Sequence, residues 1–552
     1  LRHLLKSSAL AVLLSAAAIA GGGEDDSRPL PDVPKASAAL DSLLAKRLDA
    51  EKVKAAPLAS DAEFVRRLYL DLTGSIPTAS QALAFLDSKD PDRRKKLIDQ
   101  LLDSPAYGKH FGTIWRNLII RPDANMVRQP NTQPLVDWLA AHFNKGSGWD
   151  RIVTEMLTAE GSRPESLFFI LNGDTRGYPQ SNVIAGTVGQ IFMGTQLACA
   201  ECHNHPFVDK WKQDDFWGVA AFFGKVQNGG GAKGGKEAST SITEVTTPPK
   251  DKKRNMAPKI GPGASIVIPD TSFKQIGRVV KARFPHGEHP ALKREEPFRP
   301  AFVKWLVARE NPYFAANVVN RLWGHLFGRA FANPVGEVSE VNPHSHPEVV
   351  AFLSKELTDN GFDLKHLIRV ICNSQAYQRS SRSASDDSQG EALFARQGVK
   401  VMTPEVLYSS LTTALEVPDL KPVRNATGAK KKGGGAGKAL NPAAAREQFL
   451  AFFTTKDVEG DATEYTLGIP QALRLMNQDL FNTGGNTVAR AAKLGSPDKA
   501  VEALYLAALS RRPTREESDE ATAFVAKAKS KEEGYRGVFW ALINSAEFIL
   551  NR

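Results

Sequence analysis

The stretch Cys199-Ala200-Glu201-Cys202-His203-Asn204-His205-Pro206-Phe207 brings two thiols and two imidazoles close together in the chain. Its first five residues form a complete C-x-x-C-H, the attachment pattern of c-type haem. The spacing has a mechanical reason. Thiols three positions apart can each bond one of the two vinyl groups on the same haem edge, and the imidazole that follows then lies beneath the iron as proximal ligand. Three other readings stay open. Cys199 and Cys202 form a redox disulfide, although the βαβ alternation that accompanies that chemistry is not evident nearby. Cys199, Cys202, His203 and His205 hold one zinc or iron, although ligands so close in sequence make a cramped tetrahedron. The pair is purely structural. Three cysteines in 552 residues provide no disulfide framework, so the close pair points to a cofactor, and Cys372, beside Ile371, reads as a buried apolar residue.

A haem at this place needs walls and, if six-coordinate, a second axial ligand. Trp211, Phe216, Trp217, Phe222 and Phe223 follow the motif and either bury a porphyrin face or belong to an ordinary aromatic core. Asp214 and Asp215 read as a solvated turn or helix cap, because adjacent side chains diverge too far for an acid pair. His205 is two residues from His203 and cannot reach the opposite side of the same iron. A distal ligand must come from afar, with His325, His344, His346, Met193, Met402 and Met476 as candidates. Without one, the iron is five-coordinate and open to small ligands.

Covalent attachment suits a cofactor used outside the cytoplasm, and the start of the chain agrees. Arg2, His3 and Lys6 precede an apolar run over residues 9–20, interrupted by Ser15 and ending in Ala18-Ile19-Ala20. This predicts a cleavable secretory signal over residues 1–20, shorter than a membrane span and followed at once by Gly-Gly-Gly-Glu-Asp-Asp. The mature chain is expected to be exported and soluble, periplasmic or at the cell surface, with no membrane span. Lys and Arg number 71 against 61 Asp and Glu, a formal charge of +10. Much of the excess lies in Gly-Lys tracts, which predicts solvated insertions, with an anionic polysaccharide as the weaker reading. Nucleic acid is not expected as a partner of an exported chain. No G-x-S-x-G, H-E-x-x-H or P-loop pattern supports a standard hydrolase or nucleotide enzyme.

The elements that must position the motif are helices. Thr78 and Gln81 make a capping box, Pro91 announces a helix with Leu97, Leu101 and Leu102 on one face, and Pro347 and Gly361 bracket another. Asp363 precedes Leu364, Leu367, Ile368 and Ile371 at helical spacing; Ser496-Pro497 and a Thr514 and Glu517 capping box announce more helices. The expected fold is mainly α, a multi-helix two-domain architecture with a small β or irregular insertion between domains. Residues 21–55 are read as leader and first helix, 56–226 as a helical domain with the C-x-x-C-H, 227–275 as a Gly/Lys-rich linker or small β insertion, and 276–552 as a second helical domain with a flexible insertion at 427–440. Residues 227–259 and 429–438 are expected to be mobile, since such tracts bury too little apolar area to offset ordering entropy.

Phe64-Val65-Arg66-Arg67-Leu68-Tyr69-Leu70-Asp71-Leu72-Thr73-Gly74, together with the cysteine motif, resembles the cytochrome-like domain of unknown function abundant in planctomycete bacteria and their relatives. Asn320-Arg321-Leu322-Trp323-Gly324-His325-Leu326-Phe327-Gly328-Arg329, Asn342-Pro343-His344-Ser345-His346-Pro347-Glu348, Ser374-Gln375-Ala376-Tyr377 and Asn544-Ser545-Ala546-Glu547-Phe548 resemble its usual companion domain. The resemblance implies an exported protein with a haem motif at Cys199, Cys202 and His203, and adds His205, His325 and His346 as further candidate positions. It implies no settled activity. The leading expectation is a redox protein with covalent haem c, exchanging electrons with a partner such as another cytochrome c. The alternatives are a haem-dependent or zinc- or iron-dependent enzyme acting on carbohydrate or sulfated polymer, and an envelope scaffolding protein.

Overall fold

The computed structural model describes residues 32–120, 131–206, 208–229, 241–246, 265–267, 279–293, 295–382, 388–420, 442–453 and 483–552. The expected signal over residues 1–20, the insertion at 427–440, Phe207, Met476 and most of 227–259 lie outside them. The described chain is mainly α, as expected. In order, the helices are α1 (Val33–Glu51), α2 (Asp61–Thr73), α3 (Ala79–Asp87), α4 (Arg93–Leu102), α5 (Pro105–Ile119), α6 (Gln133–Lys145), α7 (Trp149–Leu157), α8 (Leu167–Leu171), α9 (Ser181–Val188), α10 (Gln213–Phe223), α11 (Arg299–Leu306), α12 (Phe314–Phe327), α13 (Pro347–Asp359), α14 (Leu364–Asn373), α15 (Gln375–Gln378), α16 (Ser388–Ala392) and α17 (Pro404–Leu415). Further helices span Pro442–Phe453, Gly485–Ala491, Pro497–Leu509, Arg515–Lys527, Lys531–Ile543 and Ala546–Ile549. None of the described helices is long and apolar enough to cross a membrane.

The local signals act as read. Both capping boxes form, at Thr78 with Gln81 and at Thr514 with Glu517. Asp363 caps α14 through the backbone N–H groups of Lys365 and His366, and Gly361 takes the left-handed conformation that ends α13. The helix announced by Pro91 begins at Arg93.

α2 is the central strut. Ser60 Oγ accepts from Glu63 N at 3.2 Å, and Gly74 closes the helix at φ 67°. Its Phe64, Val65, Leu68 and Leu72 join a large hydrophobic cluster running from Ala36 to Phe394, whereas Leu70 joins a second cluster built mainly from residues 402–548. A helix apolar on so many sides must be buried on all of them. Arg66, Arg67 and Asp71 are therefore buried too, and each needs a partner.

The described residues from Val33 to Arg552 pack as one compact unit, because the large cluster draws on both expected domains. The strands are short antiparallel pairs: β1 (Val226–Asn228) with β2 (Ile242–Glu244), β3 (Ser265–Val267) with β4 (Val279–Lys281), and β5 (Lys400–Val401) with β6 (Leu550–Asn551). The first two pairs give the interdomain segment its β character. The third sets Asn551 opposite Lys400.

Candidate functional site

α9 runs on through a wide turn at Gly189–Met193, reverses at Gly194 (φ 69°) and enters a short 3-10 turn, Leu197–Ala200, that carries Cys199. One face of α12 receives this segment. Asn317 Nδ2 donates to Ile191 O and Arg321 Nη2 to Gln190 O, both at 2.6 Å, satisfying carbonyls that the ending helix leaves open. Glycine is required at 194 on two counts, the left-handed backbone and the approach of Asn317, whose Oδ1 would stand 2.6 Å from a Cβ there. From the other side, the Trp217 indole N–H donates to Glu201 O at 2.9 Å and Gln213 Nε2 donates to Cys202 O at 3.0 Å. The motif loop is thus fixed between α10 and α12.

Within the loop both thiols are free of disulfide bonding. The Cys199 S–H points to Gln196 Oε1 at 3.3 Å, and burial, then nearby Glu337, push its pKa up. Redox-active thiol pairs show the opposite shift, so the disulfide-exchange reading finds no support at Cys199. Cys202 and His203 are exposed. His203 Nδ1 donates to Asn204 O at 2.6 Å, which assigns the ring proton to Nδ1 and leaves the Nε2 lone pair for a metal. His205 differs: its Nδ1 accepts from Val208 N at 3.1 Å, and burial, with His203 beside it, lowers its pKa. Among the described residues no group of three or more His, Cys, Asp or Glu side chains stands close enough to hold a metal ion. The four side chains of the zinc or iron alternative are therefore not gathered around one point in the described structure. One imidazole with an outward Nε2 and two reduced thiols do fit the donor set of haem c.

The aromatic run is core. Phe222 stacks on Phe284 with ring centres 5.3 Å apart, Phe223 meets Phe302, and Trp211 lies against His286 and Tyr313. Asp215 caps α10 through Lys212 N, as a cap reading expects, but it is buried rather than solvated and pairs with Arg283 at 2.5 Å. The distant ligand candidates separate. His325 Nε2 donates to Asp71 O at 2.8 Å. His346 is fully buried against Phe331 and Phe394, with Nδ1 on Ser345 Oγ at 2.9 Å. Met402 lines a different cavity. Met193 and His344 border a groove that Val208, Lys210 and Trp211 of the motif segment also line.

A second polar centre escaped the reading of the sequence. The Asp71 carboxylate accepts from Tyr377 O–H at 2.8 Å, Lys400 Nζ at 2.5 Å and Asn551 Nδ2 at 2.7 Å. Lys400 also donates to the carbonyls of His325 and Leu326. Burial pushes the Lys400 ammonium below its ordinary value, against the pull of Asp71. The His110 ring lies 5.7 Å from that of His325, and burial, reinforced by His325 and Lys400, holds its pKa far below the usual range. The signal was one charged residue inside Leu-Tyr-Leu-Asp-Leu, which predicts a buried carboxylate in need of partners.

Residues 39–228 match the model of a protein family of unknown function (PSCyt2, DUF1549), and residues 298–525 match that of a second protein family of unknown function (PSD1, DUF1553). No curated protein and no solved structure matches the chain. The motif loop and Asp71 fall in the first region, and α12, Tyr377 and Lys400 in the second.

Proposed function

We propose that the chain is an exported redox protein holding one haem c through Cys199 and Cys202, with His203 as axial ligand. The observation that carries this reading is the Nδ1–H bond from His203 to Asn204 O, which orients the ring and leaves Nε2 to bind iron. Attachment needs no oxidant, since each S–H adds across a vinyl double bond and both atoms stay on the product. Bound haem supplies a one-electron couple. Around it, Trp217 and Gln213 hold the loop rigid, and the exposure of Cys202 and His203 leaves the site open to a partner protein. The aromatic core beneath stays packed, and Trp211 borders the groove beside the motif.

The test is expression with c-type haem maturation, followed by denaturation and acid extraction. Haem is expected to stay with the polypeptide in the parent chain. Cys199→Ala or Cys202→Ala should weaken or abolish attachment, while His203→Ala should keep thioether chemistry but change the spectrum. Protein that remains free of haem in a maturation-competent host would overturn the reading.

A further inference from the structure

Away from the cysteine loop, α2, α5, α12, α17 and the β5–β6 pair line a half-open cavity of about 110 Å³. Its walls are largely apolar, with Phe111, Trp115, Leu322 and Met402 among them, and its polar end carries Asp71, His110, Arg321, His325, Lys400 and Asn551. Two acceptors at that end are buried without partners among the described residues: His110 Nε2 and Asn551 Oδ1. The surrounding bonds fix what each atom is. Asn551 donates its amide N–H to Asp71, so Oδ1 is the oxygen left over. The Asp71 carbonyl takes a hydrogen bond from His110, so the other ring nitrogen, Nε2, carries a lone pair. The neighbouring donors are engaged elsewhere. Lys400 directs three hydrogen bonds at Asp71 and the His325 and Leu326 carbonyls, and Tyr377 O–H is taken by Asp71.

Buried acceptors are rarely left without donors, and here two share one apolar chamber. A cavity of about 150 Å³ lined by apolar side chains admits benzene, so this one is of the right order for a single small ring. An apolar ring alone would leave both acceptors unsatisfied. A charged ligand would find Asp71 and Lys400 already paired with each other, in walls that are otherwise mostly hydrocarbon. The missing component is a flat apolar body with a hydroxyl donor at one end.

We propose that this cavity is a binding site for a small aromatic alcohol of the phenol class, its ring against Phe111, Trp115, Leu322 and Met402 and its hydroxyl donating to His110 Nε2 or Asn551 Oδ1. The site joins two parts of the chain that match different families and is independent of the haem reading.

Isothermal titration of the full chain with phenol, toluene and anisole tests it, since the last two resemble the first in size and lack the donor. Phenol is expected to bind about tenfold or more tightly than either, the worth of one hydrogen bond to an otherwise unsatisfied acceptor. His110→Phe and Asn551→Leu should each reduce that preference, and Met402→Trp, which fills the chamber, should abolish phenol binding. The comparison of ligands on the unaltered chain stands even if a variant does not fold. Equal binding of phenol and toluene, or no binding of either, would overturn the proposal and leave water as the occupant.

Discussion

His346 occupies an apolar pocket, and its titration is a consequence that can be measured. Burial lowers its pKa from 6.5 to about 4, with Glu348 opposing and Arg47 reinforcing the shift. Between those values the unfolded chain takes up the proton and the folded chain does not. Stability therefore falls as pH drops from 6.5 toward about 4, and this group adds no further loss below its folded value. Over the whole window the loss from this residue is about 3 kcal/mol. Urea unfolding at stepped pH should show that slope, and His346→Leu should flatten it; an unchanged slope would show that the imidazole is protonated in the folded state. The same residue marks a limit of the sequence. Its place beside Pro347 and Glu348 identified a helix start correctly, but nothing local revealed the Phe331 and Phe394 rings that enclose it. His203 was readable as a candidate because its neighbours in sequence are also its neighbours in space. Asp71 was not, because its partners lie more than 300 residues away.

At the scale of elements, short-range rules succeeded and composition misled. Capping residues act within a turn, so helix starts at Ala79, Leu364 and Arg515 could be read directly. The tract at 227–259 reads as mobile on composition, with a small β insertion as its other reading, and within it β2 pairs with β1 and Glu244 is almost fully buried. Its Oε2 pairs with Arg299 Nε at 2.9 Å, its Oε1 accepts from Phe298 N, and Arg299 Nη1 donates to Ala159 O at 2.8 Å. The carboxylate thus ties the insertion to the start of α11, and Arg299 carries the link on to the end of α7. Removing the carboxylate leaves the buried guanidinium with only the long contact to the exposed Glu160 at 3.5 Å, so Glu244→Ala is expected to destabilise the fold by about 3 kcal/mol. Glu244→Gln, which keeps a hydrogen-bonding oxygen, should cost less. Equal stability of the alanine variant and the parent in denaturant titration would mean that the pair contributes nothing net.

Across the whole molecule, the two family-matched regions share their interior. α2 from the first holds the end of the chain: Arg66 donates to Phe548 O at 2.6 Å and Ala508 O at 3.0 Å, and Arg67 to Arg552 O at 2.6 Å and Tyr377 O at 2.7 Å. α12 from the second reaches back, with Asn317 and Arg321 gripping the segment that leads to Cys199 and His325 bonding Asp71. These three residues recur every fourth position along α12, so a single helix face aligns the cysteine loop with the Asp71 centre. Such interlocking should make unfolding cooperative across both regions. Tryptophan fluorescence and far-ultraviolet circular dichroism are expected to give coincident denaturation midpoints. Arg67→Met should lower both midpoints together, because it leaves the Tyr377, Arg379 and Arg552 carbonyls without their shared donor. Two separate transitions, with only one moved by the substitution, would show that the regions fold independently and that their shared bonds form only after each is complete.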